Sequence, residues 1–131
     1  MIEITEHDFS IDQIIKKAKR KDAGAIVSFL GTVRDDGILS LELEAYQDAA
    51  IPELEQIREE AMERFHLLSV DIIHRIGSLS VADNIILIVC VAAHRREAFD
   101  GCSYIIEELK VRVPIWKKEI KADCQRWIGS D

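Results

Sequence analysis

Three groups of basic residues in this 131-residue sequence have the types and spacing of an anion site. The first is AHRREAF at 93–99, where an apolar run gives way to His94, Arg95 and Arg96 as a helical pattern begins. A helix N-terminus is already partly positive, through its free backbone N–H groups and its dipole, and it normally attracts acidic side chains. Cations there call for a bound phosphate or carboxylate, or for screening in solvent by Glu97 and Asp100; the local residues fit both readings, and His94 alone also fits a merely hydrogen-bonded ring. The second group is LKVRVPIWKKE at 109–119. Lys110 and Arg112 fall in a last helical turn, where cations satisfy the dipole without any ligand. Beyond Pro114 an extended chain would put Ile115 and Lys117 on one face and Trp116 and Lys118 on the other, so one lysine must point inward or along a cleft. A lysine held among apolar groups and other cations loses its proton more easily, as an acid, base or nucleophile near neutrality requires. The third is Arg34, which closes the apolar run of FLGTVR at 29–34; loops beyond strand ends gather binding residues, although a lone arginine there is commonly a surface residue.

The elements that must position these groups follow from periodicity. Residues 2–5 fit a short edge strand. Ser10 and Gln13 have capping-box spacing ahead of Ile11, Ile14, Ile15 and Ala18, which predicts a first amphipathic helix ending near Lys21 to Gly24. GAIVSFLGTVR reads as a buried strand ending in Arg34, before a turn at Asp35 to Gly37. Leu39, Leu41, Leu43 and Ala45 alternate with polar residues, as a half-buried strand does, and the two strands are expected to form a hairpin. Pro52 is expected in the first turn of a helix carrying Leu54, Ile57, Ala61, Met62 and Phe65. Val70, Ile72, His74 and Ile76 alternate again. The uncharged run Ile85 to Ala93 predicts a strand covered on both faces and paired with them. A third helix is expected over Arg95 to Arg112, barred from continuing by Pro114, and the tail should be partly extended. The predicted class is α+β, a single domain over 1–131 with a mixed sheet.

Composition narrows the function. The net charge of −7 argues against nucleic-acid binding through a basic surface. The positive charge is concentrated late: residues 94–128 hold eight Lys or Arg against six Asp or Glu. The longest uncharged apolar run has nine residues, against roughly 20 needed to span a bilayer, and the acidic start MIEITEHDF is unlike a secretory signal; a cytoplasmic protein is expected. Cys90, Cys102 and Cys124 show no zinc-binding spacing, and the first two fit small core residues, so neither a disulfide framework nor a metal is expected.

FLGTVR, AHRREAF, LKVRVPIWKKE and RWIGSD at 126–131, in this order and spacing, resemble the successive motifs of the molybdopterin synthase large subunit family. The resemblance implies an α/β-hammerhead-type fold and a homodimer of large subunits within a heterotetramer. A small ubiquitin-like sulfur carrier would dock at each end, its C-terminal Gly-Gly thiocarboxylate entering the active site. There cyclic pyranopterin monophosphate would receive two sulfurs and open to the dithiolene of molybdopterin, with no cofactor or metal. Carried over position by position, the family's catalytic lysines fall on Lys110 and Lys117, and its substrate-binding positions on Arg34, His94 and Arg95. Thr32, Val33, Lys118 and Glu119 would line the same pocket, with Arg126 contributing. Two other functions fit the residues: an enzyme that acts alone on a phosphorylated small molecule, and a dimeric, non-catalytic module that senses an anionic metabolite.

Overall fold

A computed structural model describes residues 1–122 and 125–128, with the backbone alone at 125 and 126. The elements run β1 (Ile2–Thr5), α1 (Ile11–Ala18), β2 (Ala25–Thr32), β3 (Ser40–Ala45), α2 (Gln47–Phe65), β4 (Ser69–Arg75), β5 (Gly77–Leu79), β6 (Asn84–Ala92), α3 (Arg95–Arg112), β7 (Ile115–Ile120) and β8 (Gln125–Ile128). The α+β class with a mixed sheet holds, but the strands form two sheets. One has the order β1-β4-β6-β2, parallel only between β1 and β4; the other, β5-β3-β7-β8, is antiparallel.

Strand β6 is buried from Ile85 to Ala92 because both its faces are covered. Ile86, Ile88, Cys90 and Ala92 join the main core with Leu54, Ile57 and Ala61 of α2 and Ala98, Cys102 and Ile105 of α3. Leu87, Val89 and Val91 face the other way, onto Ala18 of α1. Each large apolar side chain so buried contributes about 1.5–3 kcal/mol before the entropy of ordering it is counted. Helix α1 is capped by Ser10, whose Oγ accepts from the Gln13 N–H at 3.3 Å.

Two expectations are corrected. The strands β2 and β3 form no hairpin: β2 pairs with β6 along its whole length, and β3 pairs with β5 and β7. Strand β2 finds its longest apolar ladder on β6, whereas β3, with Leu41 and Leu43 inward and Glu42 and Glu44 outward, suits a sheet wetted on one side. The end of β2 is tied to the turn before β6, since Val33 N–H donates to the Asp83 carbonyl at 3.0 Å and its own carbonyl accepts from Ala82 at 2.8 Å. Helix α2 begins at Gln47, so Pro52 lies beyond its first turn. The Ala49 and Ala50 N–H groups both donate to the Tyr46 carbonyl, which starts the helix upstream of the proline; Pro52 removes a single N–H from a helix already formed.

Candidate active site

The chain leaves α3 at Arg112, turns through Val113 and Pro114, and enters β7 at Ile115. Around this turn lies a cavity of about 490 Å³, walled by α3, β7 and the strands β2, β4 and β6. Lys110 and Lys117 both line it, together with Thr32, His74 and apolar side chains that include Phe29, Ile86 and Ile88. The rim carries Val111 and Trp116, which are 74% and 51% exposed. Gly31 keeps one wall open: a Cβ there would stand 2.9 Å from Ile86 Cγ2.

Lys117 enters the cavity because of strand alternation. It stands opposite Leu43 on β3 and Ile128 on β8, on the inward face that also holds Leu41. Burial lowers its pKa, and the nearby charge of Lys110 lowers it further. Lys110, in the last turn of α3, is exposed. Arg112 needs no ligand, though its partners are carboxylates rather than the helix carbonyls expected of a cation at a helix end. It donates to Glu53 and Glu60 at 2.7 Å and to Glu108 at 3.1 Å, so it joins α2 to α3. Arg112, helped by Tyr104 and Gln56, holds the Glu60 carboxyl down at about 2.

The other sequence-derived candidates are spread more widely. Val33 is buried in the main core. Arg34 is exposed and bonded to Asp36 at 3.1 Å. Lys118 lies on the outward face of β7, 3.6 Å from Glu42 and over the Trp127 ring at 5.0 Å. Glu119 is buried on the same side as Lys117 and pairs through its backbone with Arg126, whose side chain lies outside the described residues. His94 caps α3 without a side-chain cap bond, and both it and Arg95 are exposed. A helix rises about 1.5 Å per residue, so Arg95 stands roughly 22 Å along α3 from Lys110. One chain therefore does not bring the two cationic ends of this helix onto one small ligand.

His74 is the residue that sequence reasoning passed over, because in β4 it reads only as one more inward position. It is 3% exposed, and its Nδ1 lies 2.7 Å from the Arg75 carbonyl. Burial, with Lys117 nearby, pushes its pKa down to about 4, so the ring is neutral at physiological pH. Cys90 and Cys102 are free and buried, as expected of core residues; their mutual hydrogen bond and burial push the Cys90 thiol up. Cys124 lies outside the described residues. Among the described residues no cluster of three or more His, Cys, Asp or Glu could hold a metal, and no helix is long and apolar enough to cross a membrane.

The family model described as "MoaE protein" matches residues 4–112. A molybdopterin synthase catalytic subunit of Pyrococcus abyssi is 45% identical over 128 residues, which is 95% of this chain and 86% of that protein. The crystal structure of molybdopterin synthase from Staphylococcus aureus superposes with a TM-score of 0.91 at 37% identity, over 97% of this chain and 96% of that one. The same fold, at 22% identity and a TM-score of 0.82, occurs in a complex of subunits 1 and 2 of the molybdopterin-converting factor of Helicobacter pylori, over 96% of this chain and 88% of that one.

Proposed function

The chain belongs to the MoaE family of molybdopterin synthase catalytic subunits, and from that premise we propose that the cavity between Lys110 and Lys117 is where sulfur is transferred to a pterin. The observation that carries this reading is the pairing of one exposed and one half-buried lysine on a single cavity, the half-buried one shifted toward its neutral form.

The substrate in this reading is cyclic pyranopterin monophosphate, and the sulfur donor is the C-terminal thiocarboxylate of a small ubiquitin-like carrier. Lys110 meets the carrier's terminus, by an ion pair or a transient covalent link, and orients the sulfur. Each transfer forms a carbon–sulfur bond on the pterin side chain in place of a carbon–oxygen bond there, the oxygen leaving with protons from the site. It also breaks the carrier's acyl–sulfur bond, with water supplying the oxygen that replaces sulfur on the carrier. Lys117 moves the protons, since an amine with a lowered pKa gives up and takes back a proton more readily than an ordinary lysine. Holding donor and acceptor in one cavity removes a barrier on the order of several kcal/mol. The exposed apolar rim of Val111 and Trp116 supports this account, because ordering a flexible tail costs roughly 1 to 2 kcal/mol per residue and a terminal charge at physiological salt would not offset that alone.

His94 and Arg95 bind the substrate phosphate or the carrier terminus in this reading, and their distance from Lys110 supports a site shared between two copies of the homodimer. Thr32, Arg34, Lys118, Glu119 and Arg126 surround the bound substrate, and Val33 contributes through its backbone. The whole chain acts as one domain, in the cytoplasm, within a heterotetramer of two large and two small subunits. The test is reconstitution from the purified chain, the pterin precursor and a thiocarboxylated carrier, with molybdopterin as the readout. A carrier lacking its terminal Gly-Gly should give no product yet still dock, with binding that depends only modestly on salt. Full product from the truncated carrier would overturn the mechanism.

A further inference from the structure

The polar side chains that open onto the cavity are unequal in what they can recognise. Lys110 and Lys117 are donors and suit the anionic parts of a ligand. The hydroxyl of Thr32 can turn to donate or accept. His74 is different, because its chemistry is fixed by the backbone. The Arg75 carbonyl, 2.7 Å from Nδ1, can only accept a hydrogen bond, so Nδ1 must carry the ring proton. In the neutral ring Nε2 is then a lone-pair acceptor. No hydrogen bond to Nε2 forms among the described residues. The one side-chain nitrogen there that is both sealed from solvent and without a partner is Arg75 Nε. His74 Nε2 therefore keeps open surface, although the residue as a whole is only 3% exposed and lines the cavity.

An acceptor that opens only onto a cavity is matched best by a donor on whatever fills that cavity. The position of His74 in the fold gives it no partner for Nε2 among the described residues. On β4 its backbone stands between Ile4 of β1 and Ile86 of β6, so its neighbours across the sheet are aliphatic. The charged group that reaches it is Lys117, from the facing sheet. That geometry suits a ligand that meets the two lysines with its anionic end and presents a neutral donor at the wall formed by β4.

We propose that His74 is a substrate-recognition residue whose Nε2 accepts a hydrogen bond from a neutral N–H or O–H group of the bound substrate. The inference rests on the functional reading above and adds to it a specificity contact. A cavity that offers cationic donors together with a fixed neutral acceptor on the β4 wall selects a polar heterocycle over a bare phosphate or a simple acyl anion. The low proton affinity of the ring keeps the lone pair available throughout the pH range in which the enzyme works.

The test uses the complete chain labelled with ¹⁵N-histidine and titrated with cyclic pyranopterin monophosphate, and inorganic phosphate serves as the comparison ligand. The Nε2 resonance should begin as that of a free lone-pair nitrogen and move toward the hydrogen-bonded range with the pterin but not with phosphate. Precursor affinity measured by calorimetry should fall about tenfold to a hundredfold in His74→Phe and be largely restored in His74→Gln, whose amide offers an acceptor at similar reach. If the pterin binds and Nε2 does not move, or moves equally with phosphate, the inference is overturned while the functional reading stands. If the pterin does not bind the wild-type chain at all, both fall together. The wild-type titration decides the matter even if His74→Phe does not fold.

Discussion

The charge of Lys110, at the end of α3, bears on the ammonium of Lys117 across the Val113–Pro114 turn and, with burial, holds its pKa below the ordinary lysine value. The shift has a direction that can be measured from both sides. Replacing Lys110 by alanine removes the second cause and leaves the first, so the Lys117 pKa should rise while staying below that of a free lysine. A chemical-shift titration of the Lys117 side chain would read this directly. An unchanged pKa in Lys110→Ala would mean that the two ammonium groups do not interact.

Turnover should depend on the same pair. Lys110→Ala and Lys117→Ala are each expected to slow product formation by about 10²-fold or more, the usual scale for removing a positioned acid or base. Lys110 is exposed, so its variant should keep the parent melting temperature. If both variants retain at least half the parent rate in the reconstituted assay, the roles given to the lysines are wrong.

His74 predicts how the fold responds to acid. Its pKa is about 4 in the folded chain against an ordinary value of 6.5. The folded state therefore binds fewer protons than the unfolded state between those values, and stability rises with pH across that window. The contribution is complete above pH 6.5 and is lost as pH falls toward 4, with a total on the order of a few kcal/mol. Denaturant midpoints taken from pH 7 down to pH 4 should fall more steeply for the wild type than for His74→Gln. Parallel slopes would show that the ring is not buried as described.

Much of this was legible in the sequence for identifiable reasons. The abrupt change from an uncharged strand to His94, Arg95 and Arg96 marks the start of α3, and Pro114 marks its end, so Arg95–Arg112 follows from local chemistry alone. Lys117 faces inward because two-residue alternation past Pro114 requires one of the two lysines to do so. Strand pairing was not legible. Nearness in sequence favours a β2–β3 hairpin, yet the ladder that β6 offers to β2 exists only after β6 has folded. His74 was hidden for another reason: the carbonyl that fixes its tautomer belongs to the backbone of Arg75, and no residue type announces that.

The open wall at Gly31 gives a steric prediction. A Cβ there would meet Ile86 Cγ2 at 2.9 Å, so Gly31→Ala forces Ile86 or β2 to shift by a few tenths of an ångström. Overpacking of this kind costs about 1–3 kcal/mol. Gly31→Val should destabilise the chain further and also project into the cavity, weakening precursor binding while carrier docking is unchanged. Equal losses of both affinities, or of neither, would show that this wall does not bound the substrate.

The separation of the two ends of α3 leads to a prediction about assembly. Arg95 and Lys110 lie on one helix, roughly 22 Å apart along it at about 1.5 Å per residue. A small pterin cannot bridge that distance, so if both residues serve one reaction they must come from different copies. In a symmetric dimer the helix start of each copy would then complete the cavity of its neighbour, and every dimer would hold two such composite sites. Arg95→Ala and Lys117→Ala should each be nearly inactive alone. Mixed, dissociated and reassociated, they should form heterodimers in which one site carries both defects and the other carries neither. With random pairing about half of the dimers are mixed and one site in two is intact within them, so roughly a quarter of the wild-type activity should return. Mixing under conditions that block subunit exchange should restore nothing. If exchange is shown to occur, by mass spectrometry of differently tagged chains, and activity stays at the level of the single variants, then Arg95 and Lys117 act within one chain or Arg95 does not act at all. Precursor binding to Arg95→Ala separates those outcomes: weakened affinity keeps Arg95 in the site, whereas unchanged affinity removes it.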